Sequence, residues 1–166
     1  MVTFEINGLE ELADKIKQID LDKLCYDVAK TLQGDIRKRV HVEGKASDGS
    51  QIGQYSLGYL KVRANNFQSK KVVRGARKGM PRPVYNRGTD PKVILSLTRQ
   101  MENDFGSREP EKIDNGYGIG YNNEFNFNKA IWNEERYKKP IWNLTKEEQQ
   151  TAQNVVHNHL QNLGLL

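Results

Sequence analysis

Lys138–Leu163 reads KKPIWNLTKEEQQTAQNVVHNHLQNL, an extended entry, a cap and a terminal amphipathic helix. Thr145 and Glu148 stand three apart, the spacing of a capping box. In that arrangement the threonine hydroxyl accepts from one free helical N–H and the glutamate reaches back to another. Glu147 adds negative charge near the positive end of the helix dipole. Past the cap, Ala152, Val155, Val156, His159, Leu160 and Leu163 recur at helical spacing and leave Gln149, Gln150, Gln153, Asn154 and Asn158 for water. Pro140 cannot sit inside a helix and pushes Lys139 toward an extended conformation ahead of Ile141 and Trp142. Gly164 is the expected stop. A helix of this length is marginal alone in water, so its stripe must pack on a surface that the rest of the chain supplies. Each large residue buried there contributes roughly 1.5–3 kcal/mol.

Upstream, Leu21, Leu24, Cys25, Val28, Leu32, Ile36 and Val40 form the clearest helical stripe, with Asp20 or Asp22 as its cap and Arg37, Lys38 and Arg39 toward its C-terminal end. Before it, Thr3-Phe4-Glu5-Ile6 alternates like a short strand ended by Asn7-Gly8, and Leu9, Leu12, Ile16 and Ile19 mark a short helix. After it, Glu43–Gly58 is punctuated by glycine and reads as loop and turn. Thr89 or Asp90 ahead of Pro91 predicts a cap, with a short helix through Val93, Ile94, Leu95 and Leu97. Thr98–Phe105 and Ile113–Tyr121 each alternate and are separated by GSREPEK, which predicts an antiparallel hairpin with glycines at 116, 118 and 120 on one face. Phe125, Phe127, Ala130, Ile131 and Trp132 follow in a short helix or turn. These helices and the hairpin fit one domain over 1–166.

The hydrophobic share is 36%, against roughly 45–50% on a count that includes glycine, so the expected core is modest. No run of about 18 apolar residues is present to span a bilayer, and MVTFEINGLEEL has neither the basic start nor the apolar stretch of a secretory signal. One cysteine, Cys25, excludes an intramolecular disulfide and a cysteine-based zinc cluster. Between Lys61 and Lys92 ten cations face one acid, Asp90. That segment carries a net +9 in a chain of net +5, leaving −4 for the remainder. No period holds from Lys61 to Gly88, and Gly75, Gly79, Pro81, Pro83 and Gly88 break any helix, so a mobile arm or extended hairpin is expected at about 61–88.

Catalytic signals are thin. His157 and His159, two apart, do not share a helix face as an i, i+4 metal pair does. His159 falls on the apolar stripe as a packed histidine, and Cys25 on the buried face of its helix as an inert thiol. Glu134-Glu135 and Glu147-Glu148 read as solvated helix turns. No catalytic, cofactor-binding or metal-binding residue is assigned. The basic segment is the one functional signal: Lys61, Arg63, Lys70, Lys71, Arg74, Arg77, Lys78, Arg82 and Arg87 are the candidate contacts to a partner or to DNA, with Tyr55, Tyr59, Phe67 and Tyr85 near enough in sequence to stack. With no base-reading motif beside them, such binding is expected to be sequence-independent and weakened by salt.

The order of parts carries a resemblance. The stretches are DGSQIGQYSLGYLKVR (Asp48–Arg63), VILSLTRQM (Val93–Met101), GIGY (Gly118–Tyr121) and KKPIWNLTKEE (Lys138–Glu148). Together they resemble the phage virion-morphogenesis or tail-completion family, the neck proteins of long-tailed bacteriophages and prophages. The chain departs from the family's pattern at Leu97-Thr98-Arg99, where a Ser-Gly or Thr-Gly is usual, and at Lys139-Pro140-Ile141, where Arg-Pro-Phe is common. The resemblance implies an α+β fold, N-terminal helices and a C-terminal helix packed on a small antiparallel sheet with a long basic loop or extended hairpin. It also implies a non-enzymatic virion subunit, made in the bacterial host cytoplasm and placed at the neck or tail junction. It would form a ring homo-oligomer, such as a hexamer, against tail-tube, tail-terminator or head-closure proteins, with non-specific contact to DNA in the channel, no membrane and no cofactor.

Overall fold

The computed structural model describes residues 14–65 and 69–166. Among them are five complete α-helices, a helical stretch at 14–17, one π-helical segment and a two-stranded antiparallel sheet, an α+β fold. The strand expected at Thr3–Ile6, and Leu9 and Leu12 of the helix expected after it, lie outside the described residues. Helix α1, Leu21–Lys38, starts at Asp20, whose side chain accepts from the Lys23 N–H. Its inner face buries Leu24, Ala29, Leu32 and Ile36. The helix runs on into a π-helical segment, Arg39–Glu43, in which Arg39, Val40 and His41 are all buried. The wider turn brings successive side chains nearer to one side than α-helical winding does. Gly44 ends the segment at φ +64, and a Cβ there would lie 2.1 Å from the Val93 carbonyl oxygen. Only glycine fits both the angle and the approach.

That close approach exists because Val93 is in extended chain. The helix expected over Val93–Leu97 does not form. Instead the Val93 N–H donates to Gly53 O (3.0 Å) and the Tyr55 N–H to Pro91 O (2.7 Å), with a bridge between Gln54 and Lys92. Val93 and Ile94 are β-branched and stiff, and Val93 is completely buried. The run is spent on pairing with residues 51–55. Between these two segments lies α2, Leu57–Arg63, capped by Ser56.

The expected hairpin is displaced. Residues Gln100–Ser107 form a helix, α3. The strands are Glu111–Ile113 (β1) and Gly116–Gly118 (β2), paired Glu111 with Gly118, Lys112 with Tyr117 and Ile113 with Gly116. Alternation misleads here because Met101 and Phe105 are also i, i+4. As a helix they are both buried while Asn103 points away. A strand would have put Asn103 between them on the apolar face, and burying an amide without a partner is costly. The α3 C-terminal end is held by Gln33, itself buried, whose amide donates to Phe105 O (2.7 Å) and Arg108 O (2.6 Å).

Two further helices close the fold. Helix α4, Glu124–Tyr137, is capped by Asn123, and helix α5, Lys146–Asn162, by the reciprocal Thr145–Glu148 box that its spacing announces. Gly164 ends α5 at φ +65. Helix α5 packs along α1, but Ala152, Val155, Val156, Leu160 and Leu163 are half-buried, not sealed. The Arg39 guanidinium anchors this end. Its Nε donates to Glu148 (2.7 Å), and it also donates to the carbonyls of Ile141 (2.8 Å) and Asn143 (3.0 Å). Glu148 is therefore a buried partner, not a solvated acid, and Arg39 is not a surface cation. Glu134 accepts from the N–H groups of Ile141 (2.7 Å) and Trp142 (3.0 Å), fixing the proline entry. The core cluster beneath includes Ile36, Val40, Ile52, Val93, Phe105, Tyr121 and Ile141.

Candidate functional site

The basic segment begins differently from its expectation. Lys61 and Arg63 belong to α2, and Arg63 is 2% exposed. Its guanidinium lies 4.4 Å from the centroid of the Tyr55 ring and donates to the Tyr55 hydroxyl (3.2 Å). As placed, Arg63 touches no outside partner, and Tyr55 is occupied by it. From 70 to 82 the chain doubles back: the Arg82 N–H donates to Lys70 O (2.9 Å), the Val72 N–H to Met80 O (2.9 Å) and the Gly79 N–H to Val72 O (2.8 Å). Gly75 (φ +81) and Gly79 (φ +85) flank the turn. Lys70, Lys71, Arg74, Arg77 and Lys78 are exposed together on this hairpin, beside exposed Val73 and Met80. Arg82 and Arg87 are half-buried and turned to the protein, their Nε atoms donating to Lys71 O and Leu97 O (both 3.1 Å). Lys61 is exposed on α2, apart from the hairpin ladder. Phe67 lies outside the described residues.

A second surface has no counterpart in the sequence reading. Between α1, β2 and the segment after it, α4, the chain entering α5 and the α5 flank at Val156 runs an open groove of about 780 Å³. Leu24, Val28 and Leu32 line one side, Phe127 and Ile131 the other, with Ile119 and Trp142 between. Phe125 and Trp132, 58% and 55% exposed with their rings edge to face at 6.5 Å, do not line the groove and lie on the side of α4 that carries Lys129. Cys25, expected on a buried face, is exposed at the rim. The signal was available: Glu124–Tyr137 carries Phe125, Phe127, Ala130, Ile131 and Trp132 around more of its circumference than one contact face can bury. Ala130 and Asn126 take the buried face, and the large side chains remain outside.

Beneath the groove, Phe105, Tyr121 and Trp142 pack ring to ring at 5.3–5.9 Å, with His41 6.0 Å from Trp142. The His41 Nδ1–H donates to Leu95 O (3.0 Å). Burial pushes its pKa down to about 4, so it is neutral near pH 7. Burial also pushes the Tyr121 hydroxyl up. Both are packing groups behind the surface. Among the described residues no group of His, Cys, Asp and Glu is placed to hold a metal ion, and no helix is long and apolar enough to cross a membrane. What the two exposed surfaces can do is bind: one by apolar burial, the other by charge. Compared with models of known protein families, with curated proteins and with solved structures, the chain matches none of them.

Proposed function

We propose that this protein is a structural assembly subunit of a tailed bacteriophage or prophage virion, completing the tail or joining head to tail as part of a ring. The observation that carries this reading is the open apolar groove with Val28, Phe127 and Ile131 along it, Phe127 and Ile131 exposed. An open groove lined mainly by apolar side chains gains from a partner that covers it, roughly 1.5–3 kcal/mol for each large side chain fully buried. A neighbouring copy or a neck component laid into the groove would cover these side chains and the half-buried flank of α5. The family resemblance of Asp48–Arg63 and Lys138–Glu148 supplies the rest of the reading. The protein acts here by shape and surface, with no reaction and no cofactor. Micrographs of phage made without it are expected to show separate filled heads and tails; intact, infectious virions would end the proposal.

A second reading rests on the hairpin. Five exposed cations at Lys70, Lys71, Arg74, Arg77 and Lys78 suit a sequence-independent grip on nucleic-acid phosphates. Replacing all five by glutamine and titrating duplex DNA at several salt concentrations separates the readings. The hairpin reading needs wild-type binding that weakens steeply with salt and is lost in the variant.

A further inference from the structure

We propose that the cleft between α2, Leu95–Gln100 and α4 is a binding site for a phosphate ester of nucleotide size. This inference is independent of the assembly role and of the hairpin. The cleft encloses about 450 Å³, within the range of roughly 300–1,000 Å³ of small-molecule sites. Three features of its wall point to an anion.

The first is charge. Lys129, Asn133 and Arg136 line it from one face of α4, at i, i+4 and i+7, and no aspartate or glutamate is among the lining residues. Lys129 Nζ bonds only the Asn126 amide oxygen (3.3 Å) and lies 4.2 Å from the Phe125 ring centroid. Arg136 stacks at 5.7 Å on Tyr137. Neither is paired to a carboxylate among the described residues. Glu102, next in sequence to the lining residue Met101, is engaged by Ser96 Oγ (2.9 Å) and Arg37 (3.3 Å).

The second is Arg63, immediately behind the wall. It is 2% exposed and has no ion pair among the described residues, and its Nε is buried without a hydrogen-bond partner. Its Nη1 reaches the hydroxyl of Tyr55, itself a lining residue. A buried guanidinium without a counter-ion is unfavourable, and an anion in the adjoining cleft offsets it through a low-dielectric wall.

The third is the opposite wall, where α3 begins. Its N-cap, Arg99, is left-handed and supplies no side-chain cap. Thr98 Oγ1 sits at that opening, accepting from the Gln100 N–H (3.3 Å). Helix starts favour negative charge. Tyr59 and Tyr137 complete the lining with rings against which a planar base can lie. Phosphate at the cations with a base on the tyrosines describes a nucleotide, either free or as the phosphorylated end of a strand.

Calorimetric titration with ADP, adenosine, inorganic phosphate and a 5′-phosphorylated or unphosphorylated oligothymidylate tests the site. ADP is expected to bind with Kd below about 1 mM, adenosine and phosphate each more weakly. Arg136→Gln and Lys129→Gln are each expected to weaken ADP by about tenfold or more, the loss of one charge-assisted contact. Arg136→Lys should recover part of it, with melting temperatures unchanged throughout. Competition by the phosphorylated oligonucleotide alone assigns the site to a strand end; no competition by either assigns it to a free nucleotide. The hairpin variant, with five glutamines at 70, 71, 74, 77 and 78, should bind ADP as the wild type does. No heat with ADP, or affinity lost only in the hairpin variant, overturns the proposal.

Discussion

Arg39 and Glu148 are more than a hundred residues apart in sequence and bond at 2.7 Å with both side chains almost wholly out of water. Removing one partner leaves the other charge buried and uncompensated, which costs about 3–5 kcal/mol. Glu148→Gln and Arg39→Met are each expected to lower stability by that amount in urea titrations. Arg39→Met with Glu148→Leu should lose less than the two single changes added together. His41 makes a different prediction. Its folded pKa, about 4, lies below its ordinary value of 6.5, so between these values the unfolded chain binds the extra proton. The stabilisation is complete above pH 6.5 and is lost as pH falls toward 4. Unfolding free energy should drop by about 2 kcal/mol from pH 7 to pH 5 on this account. In His41→Gln that part of the slope disappears.

At the scale of elements, α1 and the end of the π-helical segment that continues it offer two glycine tests of opposite sign. Gly34 is mid-helix, exposed, and has no atom within 4 Å of where a Cβ would be. Gly34→Ala should raise stability by about 0.5–1 kcal/mol through helix propensity alone. Gly44, at the end of the π-helical segment, combines φ +64 with the Val93 carbonyl at 2.1 Å. Gly44→Ala should destabilise by more than about 1–2 kcal/mol and move the chain at Val93; equal melting temperatures for the two variants would contradict this account. The elements also divide by legibility. Helices α1 and α5 and the Thr145–Glu148 box were readable because cap chemistry and a 3.6-residue period are local properties. The helix Gln100–Ser107 and the extended Val93–Leu97 were not, since Met101 and Phe105 fit both periods and Val93 is held by residues 44 and 53.

Over the whole molecule, the exposed groups divide into an apolar groove and a cationic hairpin. If the groove is an assembly surface, sedimentation should show monomer at low concentration and larger species as concentration rises. Phe127→Ser with Ile131→Ser should abolish the larger species while leaving the melting temperature within a few degrees, because both groove side chains are exposed in the monomer. Persistence of the same oligomers would remove the groove from the assembly argument. The hairpin makes an independent prediction. With about five phosphate contacts, the logarithm of duplex affinity should fall with the logarithm of salt at a slope near −4 to −5.

Composition and local pattern alone determined the two long helices with their caps and the gathering of positive charge between Lys61 and Lys92. These depend on neighbours within a few residues, and the chain carries that information directly. Only the tertiary structure decided which charges face water. Arg63 and Arg39 look like their neighbours in sequence, yet one is stacked beneath Tyr55 and the other is locked to Glu148. The groove is likewise a relation among α1, α4 and α5, made by the side chains those helices fail to bury in one another. Burial is set by what arrives from far along the chain, and no local period encodes it.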